Sequence, residues 1–328
     1  MESVSVALCS FNGSQYIEEQ LASIFKQTKL PNEIVVSDDG STDDTVNRLY
    51  RVAQSSPVLM RIMAGQPNVG VTSNFERAIT ACNGSVIVLA DQDDIWREDK
   101  IQRILDTFAV YPGCGYVFSD ASLIDADGND TGNGLWATIG FTGSRRYHYD
   151  RGDQLQVMLK GGNFIYGMTL AFRSRLRSLV LPFVATSTDC THDTWISTLL
   201  SAADYRGVGL SDALVAYRQH SRQVVGAGQF KASSWRAIQS VIVANHRPDF
   251  NLANDYDALA ERLLTDCTDS SNVTMLAEKA LHLRKRRAIV GSSRMSRLPI
   301  IVDELFSGRY ARYSSSWLSV LRDFVTER

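Results

Sequence analysis

The segment Asp91-Gln92-Asp93-Asp94 carries the clearest chemical signal in the chain, because three of its four side chains are carboxylates. It follows the apolar run 86–90, which predicts a buried strand. Carboxylates this close repel one another unless a cation lies between them. Mg²⁺ is such a cation, since it binds one or two protein carboxylates together with substrate phosphates. The segment predicts either a metal and phosphate site or an acidic turn that caps the next helix.

A second acidic loop, Asp38-Asp39-Gly40-Ser41, follows the apolar run 33–37 and precedes a predicted helix. A carboxylate here can accept a hydrogen bond from the imide N–H of a pyrimidine base, and Gly40 permits a tight turn. The alternative is a helix N-terminus rich in Asp, which capping and the helix dipole favour. Capping accounts for residues 42–44, but it does not require Asp38 and Asp39 as a pair.

The elements that must position these acids alternate between strand and helix over the first 110 residues. Apolar runs predict strands at 4–9, 33–37 and 86–90. Apolar residues at helical spacing predict helices near 17–25, 42–53, 73–82 and 101–108. This alternation predicts an α/β fold with a mostly parallel sheet and helices on both faces. Ligands bind beyond the carboxyl ends of such strands, which brings together the loops 10–14, 38–42 and 91–96.

The composition is that of an ordinary soluble globular protein, with 44% apolar and 21% charged residues among 328. The net charge of −2 is uneven: residues 1–224 hold 19 Lys and Arg against 25 Asp and Glu, and residues 225–328 hold 15 against 11. Five widely spaced cysteines without a CxxC pair favour a reducing compartment and argue against a zinc site. We expect no signal peptide and no transmembrane helix.

The helical C-terminal region contains seven basic residues between 279 and 297: Lys279, Arg284, Lys285, Arg286, Arg287, Arg294 and Arg297. Each cation near an anionic membrane is worth about 1 kcal/mol, so the segment 279–321 predicts a possible membrane surface. Groups that could insert there are Leu305, Phe306, Tyr310, Tyr313, Trp317, Leu318 and Leu321. The alternative is a solvated helix face over a small helical core. Nucleic acid is not an expected partner, because no recognised binding motif accompanies the charge.

The chain resembles the family 2 glycosyltransferases of the GT-A fold in three segments, which occur in the family's order and approximate spacing: 6–13, 35–45 and 90–96. Later segments extend the resemblance to about residue 225: 161–167, His192-Asp193-Thr194-Trp195 and Tyr217-Arg218-Gln219-His220. The resemblance implies a Rossmann-like, mixed but mainly parallel sheet flanked by helices, spanning residues 1–224. Residues 1–110 would form its nucleotide-sugar-binding half and 111–224 its acceptor-side half. Residues 225–328 would be a helical, basic extension.

The resemblance also implies roles for individual residues. The donor nucleotide would be held by Ser10, Phe11, Asn12, Asp38, Asp39 and Asp91. Asp93 and His220 would bind Mg²⁺ or Mn²⁺, and Asp193 would be the catalytic base. An inverting transfer needs a carboxylate to take the proton of the acceptor hydroxyl and a cation to absorb charge on the departing diphosphate. Further candidates for contact with the acceptor or diphosphate are Gly162, Asn163, His192, Trp195, Arg218 and Arg222.

Each of these assignments has a structural alternative. His192 and Asp193 could form a helix cap beside a buried tryptophan. His220 could be a satisfied histidine, and Gly162 and Asn163 could belong to a plain turn.

The motifs at 91–96, 192–195 and 217–220 look most like the rhamnosyltransferase branch of the family. That branch implies dTDP-β-L-rhamnose as the donor and a lipid-linked or growing surface glycan, such as bacterial O-antigen or capsule, as the acceptor. It also implies a cytoplasmic protein at the inner face of the cytoplasmic membrane. The alternatives are a UDP-hexose or UDP-N-acetylhexosamine donor and, from another class, a non-catalytic nucleotide-sugar-binding scaffold subunit.

Overall fold

The computed structural model describes residues 2–184, 190–220, 251–266, 270–314 and 318–325. Contacts divide these residues into two compact units. The first contains residues 2–150, 164–183 and 191–220, and the second contains residues 151–163 and the helices beyond residue 250. The segment 151–163 was predicted to belong with the first domain. It joins the second unit because its helix packs there, where Gln156 Nε2 donates to the backbone oxygen of Arg312 at 2.5 Å.

Nine strands form one sheet in the described part of the first unit: β1 Val4–Ser10, β2 Glu33–Asp38, β3 Leu59–Met63, β4 Val86–Ala90, β5 Ile95–Trp96, β6 Cys114–Ile124, β7 Asp130–Gly134, β8 Ala171–Arg173 and β9 Arg206–Arg218. Their order is β3-β2-β1-β4-β8-β6-β9-β5, with β7 beside β6. The first four strands are parallel, β8 is antiparallel to both β4 and β6, and β9 is parallel to β6. The predicted fold class is confirmed.

The helices of the chain up to residue 202 are α1 Ile17–Phe25, α2 Thr45–Ala53, α3 Val71–Ala81, α4 Lys100–Val110, α5 Leu135–Ile139, α6 Gly143–Arg151, α7 Gln154–Gly161, α8 Arg177–Val180 and α9 His192–Ala202. The first four are those that the apolar spacing predicts. In α1 the buried side chains include Ile17, Leu21 and Ile24, which lie on one face at helical spacing.

The central strands place the acidic loops. Every residue of β1, β2 and β4 is buried, as expected for parallel strands covered on both faces. Their register pairs Ser10 with Asp38 and Leu8 with Ala90. The loops that follow β1, β2 and β4 therefore leave the sheet at the same edge, where the sequence predicts a ligand site.

The second unit is helical in its described residues: besides α7 it contains α10 Leu252–Asp266, α11 Ser270–Ile289, α12 Arg294–Phe306, α13 Arg309–Tyr313 and α14 Leu318–Val325. None of the helices in the described ranges combines the length and apolarity needed to cross a membrane.

The interior of this unit is unusually polar. Arg286 is buried and makes two hydrogen bonds to the Asp323 carboxylate, at 2.5 and 2.9 Å. His282 Nδ1 lies 2.5 Å from the Glu304 carboxylate, and both side chains are fully buried. Lys279 donates from Nζ to the Tyr313 backbone oxygen at 2.9 Å.

The structure corrects the prediction of a basic membrane surface at 279–297. Lys279, Arg286 and Arg297 are buried, and Arg284 and Lys285 pair with Asp257 and Asp303. These cations are largely neutralised within the unit, so they do not form an open basic patch.

Two of the predicted insertion groups are also buried. The hydroxyls of Tyr310 and Tyr313 donate to Asp323 and Glu278, at 2.6 and 2.7 Å. Trp317 and the side chain of Leu318 lie outside the described residues.

Candidate active site

Three carboxylates gather where β4 ends. Asp93 Oδ2 lies 2.7 Å from His220 Nε2, which arrives from the end of β9. Burial raises the pKa of Asp91 to about 7, and the neighbouring negative charges of Asp93 and Asp193 add to the rise. The structure thus brings together Asp91, Asp93, Asp193 and His220, four residues that the sequence analysis assigned to one site.

A buried lysine lies beneath this cluster, and the sequence analysis did not include it. Lys100 is fully buried, its Nζ donates to the Met168 backbone oxygen at 2.6 Å, and it lies 3.7 Å from the centre of the Trp96 ring. Burial lowers the pKa of Lys100, while Asp94 and Asp91 oppose that shift. Its position four residues before Ile104, on the apolar face of α4, was the available signal.

Asp94 is the most enclosed of the acids. Burial, followed by the charges of Asp93 and Asp91, raises its pKa well above the ordinary value. Its Oδ1 accepts the backbone N–H of Arg218 at 3.1 Å, and its Oδ2 has no hydrogen-bond partner among the described residues. Asp94 therefore packs under the site, with Asp91 and Asp93 nearer the surface.

Gln92 joins the acidic segment to the loop after β1. Its Oε1 accepts the backbone N–H of Phe11 at 2.9 Å, and its Nε2 donates to the Phe11 backbone oxygen at 3.0 Å. Gly13 permits this approach, because a Cβ at that position would lie 1.9 Å from Gln92 Oε1. Phe11 itself keeps a half-exposed ring. The sequence analysis missed the role of Gln92, which depends on a contact 81 residues away along the chain.

Asp38 holds the predicted nucleotide loops together. It is fully buried, and its Oδ2 accepts the hydroxyls of Ser10 at 2.8 Å and of Ser41 at 2.6 Å. Its Oδ1 accepts the backbone N–H of Ser41 at 2.8 Å. Ser10 and Asp38, both predicted to contact the nucleotide, therefore fix the shape of its predicted loop.

Asp39 and Asn12 also order loops at this edge. The two Asp39 oxygens accept the backbone N–H groups of Val69 and Gly70, at 2.8 and 2.9 Å. Asn12 has a left-handed backbone, with φ of 49°, and its Oδ1 accepts the Thr42 backbone N–H at 2.8 Å. Direct contact of either side chain with a base stays a prediction.

Asp193 lies in the first turn of α9, where the helix dipole favours a negative charge. Its Oδ2 accepts the backbone N–H of Gly167 at 2.8 Å, and its Oδ1 accepts the Thr194 backbone N–H at 2.6 Å and the Thr191 hydroxyl. The side chain is buried. These donors orient the carboxylate.

Two further candidates, His192 and Trp195, have packing contacts. The His192 ring stacks on Phe75 with 3.8 Å between ring centres, and neither ring nitrogen has a hydrogen-bond partner among the described residues. Burial lowers the His192 pKa, which favours the neutral ring, while the charge of Asp193 opposes that shift. Trp195 is fully buried and donates from Nε1 to the Val180 backbone oxygen at 2.9 Å. Both rings support the start of α9.

Arg218 is likewise engaged within the protein. It is almost fully buried, and its guanidinium donates to the backbone oxygens of Asp93 and Ala126 and to Glu19 Oε2, at 2.8, 3.1 and 2.7 Å. Gly162 and Asn163 are exposed residues of the second unit, and Gly162 has a φ of 75°. Arg222 lies outside the described residues.

The arrangement supplies a carboxylate–imidazole pair, Asp93 and His220, next to the acid Asp91 and the oriented base candidate Asp193. Within the described ranges, no set of three or more Asp, Glu, His or Cys side chains forms a ready metal site. A metal held by Asp93 and His220 would therefore need ligands from substrate phosphates or water, which is how Mg²⁺ is usually bound.

Comparisons with known proteins agree with this geometry. The family model described as Glycosyl transferase family 2 matches residues 5–176, more than half of the chain. An uncharacterized glycosyltransferase of Nostoc sp. is 32% identical over 127 residues, which are 39% of this chain and 38% of that relative. The dTDP-rhamnosyl transferase RfbG of Shigella flexneri is 26% identical over 272 residues, covering 76% of this chain and 87% of the relative.

Solved structures show the same fold. TarS 1–349 of S. aureus in complex with UDP has a TM-score of 0.54 and 13% identity, and the match covers 98% of this chain and 89% of that one. The mannosyltransferase PcManGT from Pyrobaculum calidifontis, in complex with GDP-Man and Mn²⁺, has a TM-score of 0.51 and 16% identity, covering 99% of this chain and 85% of that one. With the family match and the geometry of the loops after β1, β2 and β4, the chain belongs to glycosyltransferase family 2 and has the GT-A fold.

Proposed function

We propose that this enzyme transfers L-rhamnose from dTDP-β-L-rhamnose to a hydroxyl of a bacterial surface-glycan acceptor, with inversion at the anomeric carbon. The observation that carries the reaction type is the placement of Asp193. Its oriented carboxylate is an electrostatic neighbour of Asp91. Two residues after Asp91, the Asp93 carboxylate contacts the His220 ring. The residues proposed as proton acceptor and as cation-binding pair lie at the same edge of the sheet, which supports an inverting transfer.

Asp193 would take the proton from the acceptor hydroxyl as that oxygen attacks the anomeric carbon. The N–H groups of Gly167 and Thr194 hold its carboxylate in place. Because the protein supplies these donors before substrate binds, the base needs no reorientation at the moment of reaction.

Asp93 and His220 are the residues that would hold Mg²⁺ or Mn²⁺. The Asp93 carboxylate is a ligand that suits both Mg²⁺ and Mn²⁺. When bound, the metal would stabilise the negative charge that develops on the departing diphosphate. The mannosyltransferase neighbour was solved with Mn²⁺, which supports a divalent ion in this fold.

The rhamnosyl donor is supported by the relative RfbG, a dTDP-rhamnosyl transferase that aligns with three quarters of the chain. The alternative is a UDP-hexose or UDP-N-acetylhexosamine donor, in keeping with the UDP bound by the TarS neighbour. The proposed acceptor is a glycan or lipid-linked glycan at the inner face of the cytoplasmic membrane.

Calorimetry with Mn²⁺ and four donors, dTDP-rhamnose, UDP-glucose, UDP-galactose and UDP-N-acetylglucosamine, tests the donor. We expect selective binding of dTDP-rhamnose that is lost with chelator. Preference for a UDP-sugar would move the donor to the alternative, and no binding of any donor would favour the scaffold hypothesis.

Asp93→Ala tests the metal pair in the same assay. We expect the Mn²⁺-dependent part of donor binding to be lost, because one of two protein ligands is removed. Asp106→Asn is the matched control, since Asp106 is an exposed acid on α4 that contacts Gln102. Unchanged binding by Asp93→Ala would remove Asp93 from the metal site.

A further inference from the structure

The short 3₁₀ turn Gly167–Thr169 contacts two charged groups of the site. Its first residue, Gly167, donates its backbone N–H to Asp193 Oδ2 at 2.8 Å. Its second residue, Met168, accepts a hydrogen bond at its backbone oxygen from Lys100 Nζ at 2.6 Å. Consecutive residues of one turn thus contact the proposed base and the buried lysine.

The hydrogen bond from Lys100 is a strong restraint on the turn. Hydrogen bonds from a charged donor are shorter and roughly twice as strong as those between neutral groups. The Trp96 ring lies 3.7 Å from the same Nζ, and the attraction of a cation to an aromatic face grows where water is excluded. Because Lys100 is fully buried, the ring and the Met168 oxygen together fix its ammonium group.

Packing alone does not account for a lysine at this position. Burying an ammonium group is unfavourable unless hydrogen bonds and opposite charges compensate it. An apolar side chain would fill the position without that cost, as Ile104 does one turn further along α4. Asp94 and Asp91 attract the ammonium by their charge, but within the described ranges neither forms a hydrogen bond or ion pair with it. The oxygen that positions Nζ is therefore that of Met168.

The turn also packs directly against the start of α9. A Cβ at Gly167 would lie 2.5 Å from His192 Nε2, so a side chain at this position would collide with the ring. The ring is itself stacked on Phe75. His192 immediately precedes Asp193, so the turn is in contact with the proposed base through two neighbouring residues of α9, and with α4 through Lys100.

We propose that Lys100 is a positioning residue for the transfer reaction. By holding Met168, it keeps the Gly167 N–H directed at Asp193 and so fixes the carboxylate that takes the acceptor proton. A misplacement of about 1 Å at a reacting group can lower the rate roughly 10²-fold. The effect falls on the chemical step, because Asp193 acts on the acceptor oxygen. This inference rests on the proposed function, which makes Asp193 the base.

Hydrogen exchange in Lys100→Met tests the restraint without any substrate. Methionine keeps most of the length of the side chain and removes its charged donor. We expect the Gly167 amide to exchange about tenfold faster than in the wild type, because the turn that carries it is released. The amide of Val6, in the buried strand β1, should be unchanged. Lys26→Met, which removes an exposed lysine at the end of α1, is the control and should match the wild type throughout.

Kinetics and calorimetry on the same variants separate positioning from a general loss of structure. The rate is the release of dTDP from dTDP-rhamnose with Mn²⁺, with water as the acceptor. We expect Lys100→Met to lower kcat about tenfold or more, with the donor Kd within about threefold of the wild type. Retained donor binding also shows that the variant is folded.

Two results would overturn the proposal. One is unchanged exchange of the Gly167 amide in folded Lys100→Met. The other is weaker donor binding with kcat unchanged, which would make Lys100 a counter-charge for the acidic segment. If Lys100→Met does not fold, Trp96→Leu keeps the ammonium group but removes the ring that fixes it. The Gly167 amide should then also exchange faster, and unchanged exchange would count equally against the proposal.

The failure of this inference can be told apart from the failure of the proposed function. If Lys100→Met releases dTDP at the wild-type rate while Asp193→Asn does not, the proposed reaction stands and the role of Lys100 is refuted. If the wild type releases no dTDP from dTDP-rhamnose, the proposed donor fails. The exchange of the Gly167 amide then still decides whether Lys100 holds the turn.

Discussion

The two units use buried charge in opposite ways. In the first unit, Asp91, Asp93 and Asp94 meet at one sheet edge, and Lys100 is the cation that the structure places beneath them. In the second unit, acids and bases are matched: Asp323 with Arg286, and Glu304 with His282 and Arg309. The three carboxylates of the first unit repel one another, which suits that cluster to binding a cation. In the second unit each of these acids already hydrogen-bonds a basic side chain.

The pKa values express this difference. Burial raises the pKa of Asp91 to about 7, and its acidic neighbours push it the same way. Burial alone would also raise the pKa of Glu304, but the hydrogen bonds from His282 and Arg309 bring it below the ordinary value. A carboxylate is thus held ready for a cation in one unit and already satisfied in the other.

The largest effect is expected from Asp193→Asn. Removing the general base should lower the transfer rate roughly 10²- to 10⁴-fold, the usual range for this kind of catalysis, with donor affinity unchanged. Rate assays with product detection and donor calorimetry measure the two quantities. Loss of donor binding together with transfer would make Asp193 structural, and Asp106→Asn serves as the control.

Breaking a matched pair in the second unit should cost stability. Arg286→Met leaves the Asp323 carboxylate buried with Tyr310 as its remaining described partner, and we expect unfolding to require about 3–5 kcal/mol less. Denaturant unfolding measures this. The double variant Arg286→Met/Asp323→Leu should recover most of the loss, because no charge is then left unmatched.

An exposed pair provides the contrast. Arg97 and Asp99 lie 2.6 Å apart on the surface, and Arg97→Met should change stability by less than about 1 kcal/mol. Equal losses for Arg97→Met and Arg286→Met would contradict the distinction between buried and exposed pairs.

Lys279 makes stability depend on pH. Burial lowers its pKa to about 7, against an ordinary value of 10.5. Between these values the unfolded chain binds more protons than the folded one, so the free energy of unfolding should rise with pH by up to about 1.4 kcal/mol per unit. Below pH 7 the lysine is protonated in both states and adds no slope. Unfolding of the wild type and of Lys279→Met across this window, compared point by point, should isolate the slope; identical profiles would refute it.

A smaller effect is expected at Gln92. Gln92→Ala removes two hydrogen bonds to the Phe11 backbone, which should weaken donor binding about fivefold, or about 1 kcal/mol. Gln102→Ala, an exposed glutamine of α4, is the control. Donor calorimetry with unchanged affinity for Gln92→Ala would show that the loop after β1 keeps its shape without this contact.

Sequence patterns predict the centre of the sheet well and its margins poorly. Strands β1, β2 and β4 are short apolar runs, so the local sequence is enough to predict their burial. Strand β3 is partly exposed and β9 contains glycines, Ser211 and Asp212, so neither forms such a run. Their pairing with β2 and β6 is what makes them strands.

The site and the C-terminal charges show the same limit. Asp91, Asp93 and Asp193 belong to motifs that can be read locally, whereas Gln92 and Lys100 act through partners 81 and 68 residues away. Arg286 looks like a surface cation in sequence because its partner Asp323 lies 37 residues further on. The spacing of residues along the chain does not show which distant side chains will pair. The sequence of 279–297 therefore predicts an exposed basic surface, whereas the structure shows buried and paired cations.

The hydrogen bonds of Arg218 restrict the motion of the segments around the candidate active site. Its side chain holds α1 through Glu19, the acidic segment through Asp93 and the turn after β6 through Ala126, while its own N–H holds Asp94. None of these segments can open widely without breaking a bond to the same residue. Their amide hydrogens should therefore exchange with solvent as one cooperative group, slowly and together.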